Sequence, residues 1–225
     1  MICGVPRSGT TLLCSVLRAT GLAGRPVEYF DPGKMKDFAR AWKTGSVEEF
    51  VETMLARTPT PNGVFGIKAH FGQMQHALGD RDPSEVFPHL RFVYVTRRDR
   101  VRQAVSWSRA AQTGEWSTRH EAKRGPAAFD VDDISFRLGR IEELEQLWER
   151  FFAEKDISPL RLVYEEFSSA PEETAVEVME FVGIELPPGF APPAPNVSPQ
   201  TDDISEEWVK RFREIAAAEV DSPSR

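Results

Sequence analysis

Several features that mark other classes of protein are scarce or missing in this sequence. Only two of its 225 residues are cysteine, Cys3 and Cys14. A disulfide framework or a zinc cluster would need more partners, so a pair of buried free thiols is expected. No apolar run approaches the roughly 20 residues that a membrane-spanning helix requires. A secretory signal peptide is not recognisable either. These absences predict a cytoplasmic protein without a membrane span.

An excess of positive charge is also lacking, since the formal net charge at pH 7 is −7. A general nucleic-acid-binding protein presents a basic face, so nucleic acid is not an expected partner. The local balance is reversed between residues 91 and 109, where Asp99 is the only acid among six arginines: Arg91, Arg97, Arg98, Arg100, Arg102 and Arg109. This run is either a solvated helix face or a site for a small anion, which responds to the local field.

Segments typical of strands and helices alternate along the chain. Short apolar runs predict strands at 1–5, 64–70, 92–96 and 160–164, and periodicity or capping predicts helices at 10–19, 46–57, 99–112, 132–155 and 171–182. This alternation predicts an α/β fold with a mostly parallel sheet and helices on both faces. We expect one domain over 1–225, with its core at 1–185 and, at 186–225, a proline-rich strap and a last helix capped by Ser205. The first strand is short, which leaves open whether residues precede Met1.

The loop after the first predicted strand suits an anion. Gly4 and Gly9 have the Walker A spacing G-x-x-x-x-G, and a helix N-terminus follows that offers backbone N–H groups. The lysine of a Walker A loop is missing, because Thr10 and Thr11 stand in its place, and a cation, Arg7, lies inside the loop. The loop therefore predicts a site for one 5′-phosphate with a single further group rather than for a nucleoside triphosphate. A plain strand-to-helix turn without a ligand is the alternative.

Two segments resemble the binding motifs of sulfotransferases that use 3′-phosphoadenosine 5′-phosphosulfate (PAPS). Residues 6–11, Pro-Arg-Ser-Gly-Thr-Thr, resemble the 5′-phosphosulfate loop. Residues 95–106 resemble the 3′-phosphate motif, an arginine at a strand end followed by a helix serine, which lies about two turns into the helix. The resemblance implies a set of donor-binding residues: Arg7, Ser8, Gly9, Thr10, Thr11, Arg97 and Ser106. Arg98 competes with Arg97, because the wider family has an eight-residue spacing to the serine.

Within that family the chain is most similar to the bacterial trehalose 2-sulfotransferase type. The likeness spans nearly the whole chain, with its clearest segments at 17–24, 26–30, 61–68, 103–106 and 206–209. It implies a P-loop-like three-layer α/β sandwich, a homodimer, PAPS as co-substrate and no metal. It also implies transfer of a sulfuryl group to an acceptor hydroxyl of a sugar or glycolipid, trehalose included. The chain is shorter than that type between Phe30 and Pro61, where acceptor contacts are expected, so the acceptor is left open.

Three residues are candidates for the chemistry. Glu28 is the first choice for the base that removes the acceptor's proton, because the resemblance places it on the base of the trehalose type. Its apolar and aromatic neighbours in 26–30 are expected to raise its pKa. His70 is the rival, since Lys68-Ala69-His70 resembles the Lys-Thr-His of cytosolic sulfotransferases, in which the histidine is the base. Lys68 would stabilise charge on the bridging oxygen. The structural alternatives are an exposed strand-edge glutamate, a core or capping histidine and a surface ion pair.

Two other functions stay open at this level. A P-loop kinase of a small molecule would need a Walker A lysine and a magnesium-binding acid, and residue 10 is threonine. A non-catalytic nucleotide-binding module would bind the donor without transfer. The relative affinities for 3′-phosphoadenosine 5′-phosphate and for ATP separate these functions from a sulfotransferase.

Overall fold

A computed structural model describes residues 1–87, 89–116, 124–194 and 202–220. Within these ranges four strands form one parallel sheet in the order β2-β1-β3-β4. The strands are β1 (Ile2–Gly4), β2 (Lys68–Ala69), β3 (Val93–Thr96) and β4 (Leu160–Val163). In the central register Cys3 pairs with Ala69 on one side and with Tyr94 on the other. The predicted parallel sheet is confirmed.

Helices connect and cover these strands. They are α1 (Thr10–Thr20), α2 (Pro32–Trp42), α3 (Val47–Arg57), α4 (Phe71–Leu78), α5 (Pro83–Val86), α6 (Arg100–Thr113), α7 (Val131–Glu154), α8 (Tyr164–Phe167), α9 (Pro171–Phe181) and α10 (Asp203–Val220). Several begin at a side chain that accepts a backbone N–H of the first turn, as Ser46 does for α3 and Asp99 for α6. Such caps satisfy amide groups that have no partner inside the helix.

The two faces of the sheet pack against different helices, because successive side chains of a strand point in opposite directions. Cys3, Ala69 and Tyr94 lie in one buried cluster with α3, α4 and the end of α7. Ile2, Val93 and neighbouring strand residues lie in a second cluster with α1 and α9. A third cluster joins α6, the start of α7 and α10. The expected sandwich, with a central sheet between layers of helices, is confirmed.

Two local predictions are wrong. The strand expected at 64–70 is reduced to β2, whose two residues pair with Ile2 and Cys3. Before β2 the chain lies close to another segment, since a Cβ on Gly66 would be 2.7 Å from the Ala23 carbonyl oxygen. Ser205 does not cap the last helix. Its N–H donates to Asp202 Oδ1 at 2.8 Å, so Asp202 takes that place and α10 begins at Asp203.

The proline-rich strap is only partly described. Residues 186–194 form neither helix nor strand, in line with the prediction, and 195–201 lie outside the described residues. Among the described helices, none is both long and apolar enough to span a bilayer. Cys3 and Cys14 are buried free thiols, as expected. Burial raises the pKa of Cys14 to about 11, so this thiol stays protonated near neutral pH.

Candidate active site

The candidate site lies beyond the carboxyl ends of β1 and β3. From β1 the chain continues to β2 on one side of the sheet, and the next strand, β3, lies on the other side of β1. Ligands of open parallel sheets bind at such a reversal of strand order. The two segments predicted to bind phosphate follow β1 and β3, so the fold brings them together at this point.

The loop between β1 and α1 is tightly constrained. Gly9 has a φ of 103°, and a Cβ at this position would lie 2.4 Å from Tyr164 Cδ2. Arg7 also has a positive φ, 67°. Glycine is the residue that adopts such a backbone without a steric cost. The turn ends at the N-terminus of α1, where the first amide groups of a helix have no intrahelical acceptor. The loop therefore has the backbone arrangement expected of the predicted anion site.

Two buried polar groups near this loop have no hydrogen-bond partner among the described residues. One is the hydroxyl of Ser8, whose side chain is 1% exposed. The other is Nε of Arg97, which lies 3.7 Å from Glu165 Oε1. A buried polar group without a partner costs about 1–3 kcal/mol. Both atoms have almost no solvent-accessible surface, so a ligand would contact them only after neighbouring side chains shift.

Three predicted donor-binding residues from separate segments meet here. Arg7 Nε donates to Ser106 Oγ at 2.8 Å, and Arg97 donates through a terminal guanidinium nitrogen to the carbonyl oxygen of Arg7 at 3.3 Å. Burial, followed by repulsion from Arg97, lowers the pKa of Arg7 to about 10. Two guanidinium groups in one partly desolvated region favour an anion between them.

The competing arginines of the second motif have different surroundings. The Arg97 side chain is 11% exposed, and its guanidinium carbon lies 4.6 Å from the ring centre of Tyr164. The Arg98 side chain is 62% exposed and forms an ion pair with Glu166 on the outer surface. The fold thus brings Arg97, and not Arg98, to the loop. Its contact with a 3′-phosphate stays a prediction.

A second cluster surrounds Glu28. Its Oε1 lies 2.6 Å from Lys68 Nζ and 4.0 Å from His70 Nε2. Its Oε2 accepts hydrogen bonds from Lys34 Nζ and Gln73 Nε2, both at 3.3 Å. The two candidate bases are therefore neighbours around one carboxylate. Glu28 is not an exposed edge residue, because its side chain is 19% exposed.

The electrostatics of Glu28 differ from the expectation. Burial alone would raise its pKa, but the charge and hydrogen bond of Lys68, together with the charge of Lys34, hold the pKa well below its usual range. The predicted upward shift is wrong, because a buried ammonium group compensates the desolvation of the carboxylate. Glu28 is ionised at neutral pH, which is the form that accepts a proton.

His70 is a neutral imidazole in this arrangement. Its Nδ1 lies 2.7 Å from the carbonyl oxygen of Gly4, which can only accept, so Nδ1 carries the proton and Nε2 faces Glu28 with its lone pair. Burial, followed by the charge of Lys68, lowers the pKa of His70 to about 4. The residue also occupies the cap position of α4. His70 is therefore a capping residue, which was the structural alternative, and it also lies beside Glu28 in the candidate site.

Lys68 connects the two clusters. Its Nζ donates to Thr11 Oγ1 at 3.1 Å and pairs with Glu28, and its side chain is 9% exposed. The alternative of a surface ion pair is therefore wrong. The sequence reasoning missed Lys34 and Gln73. The signal that could have found Gln73 is its place three residues after His70, the spacing of a helix capping pair.

The described part of the chain contains no group of three or more histidine, cysteine or acidic residues able to hold a metal ion. A model of one protein family, described as Stf0 sulphotransferase, matches residues 1–215. The trehalose 2-sulfotransferase of Mycobacterium tuberculosis is 31% identical, over 95% of this chain and 93% of that protein. The trehalose 2-sulfotransferase of Mycolicibacterium smegmatis is 30% identical, over 93% and 92% respectively. The similarity therefore extends well beyond the two segments predicted to bind phosphate.

Proposed function

This chain belongs to the Stf0 sulphotransferase family, and we propose that it transfers the sulfuryl group of PAPS to a sugar hydroxyl, with trehalose as the first acceptor to test. The observation that supports this proposal best is the contact of buried Lys68 with both Thr11 and Glu28. It joins an anion-binding loop to a carboxylate able to accept a proton, and sulfuryl transfer to an alcohol needs both.

The donor would bind across the two segments that meet beyond β1 and β3. Ser8, Gly9, Thr10 and Thr11 are assigned to the 5′-phosphosulfate, because they form the loop and the first turn of α1. Arg97 and Ser106 are assigned to the 3′-phosphate, and Arg7, which already donates to Ser106, contributes charge between the two groups. The contacts of Arg7 with Ser106 and of Arg97 with the Arg7 carbonyl oxygen support this assignment.

In the transfer step a bond forms between the acceptor oxygen and sulfur, while the bond from sulfur to the 5′-phosphate oxygen breaks. The acceptor's proton passes to Glu28, and the products are a sulfate ester and 3′-phosphoadenosine 5′-phosphate. Catalysis of this kind depends on positioning and on neutralising charge at the leaving oxygen. Lys68, beside Thr11, is assigned to that neutralisation.

The ion pair with Lys68 makes Glu28 a weak base before the donor is present. A donor anion that draws on the charge of Lys68 reduces the positive potential at the carboxylate. The pKa of Glu28 then rises, since a nearby positive charge is what holds it down. The base would thus gain strength when the sulfuryl group is in place. The proposal includes a homodimer, as the resemblance implies.

Calorimetry with 3′-phosphoadenosine 5′-phosphate and with ATP tests the donor assignment. We expect clear binding of the former and at least tenfold weaker binding of the latter, because the loop lacks the lysine that reaches a triphosphate. Equal affinities would favour a kinase or a nucleotide-binding module. Sulfur-labelled PAPS, incubated with trehalose and a panel of other sugars, then tests transfer. Binding without transfer to any sugar would refute the proposed acceptor class.

A further inference from the structure

Gln73, in the first turn of α4, contacts both the candidate base and the backbone that precedes the helix. Its Nε2 donates to Glu28 Oε2 at 3.3 Å, and its Oε1 accepts the backbone N–H of His70 at 2.9 Å. The residue is half-buried. An inference about its role rests on the proposed function, since it concerns the action of Glu28.

The orientation of the Gln73 amide follows from these two partners. A backbone N–H can only donate, so the oxygen of the amide must face His70. A carboxylate can only accept, so the nitrogen must face Glu28. A flipped amide would lose both hydrogen bonds. The backbone N–H of His70 thereby fixes the orientation in which Gln73 donates to Glu28.

The other two donors to Glu28 are less suited to holding it during a reaction. Lys34 lies on α2 with its side chain 51% exposed, where water competes for the contact. Lys68 also contacts Thr11, and the proposed mechanism directs its charge to the donor. Gln73 donates without a charge, so it orients the carboxylate while lowering its basicity less than a cation does.

We propose that Gln73 is a positioning residue for the general base: it holds the Glu28 carboxylate in its reactive orientation, in addition to capping α4. The proposal differs from a purely structural role in one respect. A cap needs only an acceptor for the His70 N–H, whereas positioning needs a donor to Glu28.

Two substitutions separate these roles. Gln73→Glu keeps an acceptor for the His70 N–H, and glutamate is well suited to this position of a capping pair, but it removes the donor to Glu28. Gln73→Met keeps the side-chain length and removes both functions without adding charge. Ser46→Ala is a matched control, because it removes the cap of α3, where Ser46 Oγ accepts the Glu49 N–H, outside the candidate site.

We expect kcat of both Gln73 variants to fall about 10- to 100-fold, because a displaced base slows the transfer step. KM for PAPS should be unchanged, because neither substitution alters a residue assigned to the donor. The melting temperature should fall for Ser46→Ala and for both Gln73 variants, because Gln73→Met loses the cap and Gln73→Glu places a second carboxylate beside Glu28. Ser46→Ala should keep its kcat. A Gln73→Met enzyme with parental kcat and a lower melting temperature would reduce Gln73 to a cap and overturn the proposal.

A Glu28→Gln background distinguishes the failure of this inference from that of the proposed function. If Gln73 acts through Glu28, adding Gln73→Glu to Glu28→Gln should leave kcat where Glu28→Gln alone put it. A further drop of tenfold or more in the double variant would mean that Gln73 acts by another route. A Glu28→Gln enzyme with parental turnover would instead refute Glu28 as the base, and the role of Gln73 would fall with it.

Discussion

Replacing Glu28 with glutamine tests the centre of the proposed mechanism. The substitution keeps the size of the side chain and an oxygen that accepts hydrogen bonds, but it removes the group that takes the acceptor's proton. Loss of a general base reduces rates by about 10²–10⁴. We expect kcat to fall within that range, because the acceptor hydroxyl must then release its proton to water.

The structure also predicts a cost in stability. Lys68, 9% exposed, loses its anionic partner at 2.6 Å and keeps a neutral amide oxygen and Thr11. A hydrogen bond to a charged group contributes about 1.5–3 kcal/mol, and the new amide oxygen replaces part of it, so we expect a loss of about 2 kcal/mol. For a chain of this size that corresponds to a melting temperature lower by about 4–8 °C.

Binding of 3′-phosphoadenosine 5′-phosphate should not be weakened by this change. The substitution removes a negative charge near the anion site and leaves Lys68 without a competing carboxylate, so the variant should bind at least as tightly as the parent. Calorimetry, thermal unfolding with and without the nucleotide, and turnover of labelled PAPS provide the three measurements. His70→Asn is the comparison variant, because Nε2 of His70 lies 4.0 Å from the same carboxylate.

The reasoning would be refuted by a Glu28→Gln enzyme with near-normal turnover. If a folded His70→Asn enzyme were inactive at the same time, the role of base would pass to His70. If both variants kept their activity, the base would lie elsewhere and the placement of the acceptor would be mistaken.

Three further predictions concern the surroundings of the site. In calorimetry Arg97→Ala should weaken binding of 3′-phosphoadenosine 5′-phosphate by about 10- to 100-fold, which is the contribution of one charge-assisted hydrogen bond. Arg98→Ala should have little effect. If Arg98→Ala were the more damaging change, the arginine of the 3′-phosphate motif would be Arg98. Gly9→Ala should unfold at a lower temperature and bind the nucleotide less well than Gly63→Ala. Both glycines have a positive φ, but only at Gly9 would the new Cβ lie 2.4 Å from Tyr164. Equal effects of the two substitutions would show that this contact is unimportant. The pKa of His70, about 4, lies below its ordinary 6.5, so the unfolded chain binds more protons and the free energy of unfolding should fall by up to about 3 kcal/mol between pH 6.5 and pH 4. Denaturant titrations should show this fall for the parent and a smaller one for His70→Asn, and an equal pH dependence of the two proteins would refute the lowered pKa.

Local patterns in the sequence were sufficient for most strands and long helices, and for the strand, loop and helix that carry the predicted anion site. The helix after the loop begins at Thr10 and ends before Gly21, which has a φ of 68°, as its composition predicted. Alternating strands and helices indicated the parallel sheet. By contrast, α2, α4, α5 and α8 were not predicted. The helices α4, α5 and α8 have few residues each, so neither periodicity nor composition distinguishes them from loops.

The spacing of the two phosphate motifs also followed from the sequence, but the choice between neighbouring arginines did not. Arg97 and Arg98 are adjacent and chemically identical, and only their contacts with Tyr164 and Glu166 at the end of β4 direct one inward and the other outward. The number of residues between an arginine and Ser106 does not determine whether that arginine points into the site or into solvent.

The tertiary structure alone decided the chemistry around Glu28. Its apolar neighbours in sequence predicted a raised pKa, yet the fold places Lys68 at 2.6 Å and the pKa is lowered instead. His70 and Gln73 reach the same carboxylate from the end of β2 and from α4. The sequence determines which groups are available, whereas ionisation and orientation depend on distances through space between segments far apart along the chain, which only the packed sheet and helices set.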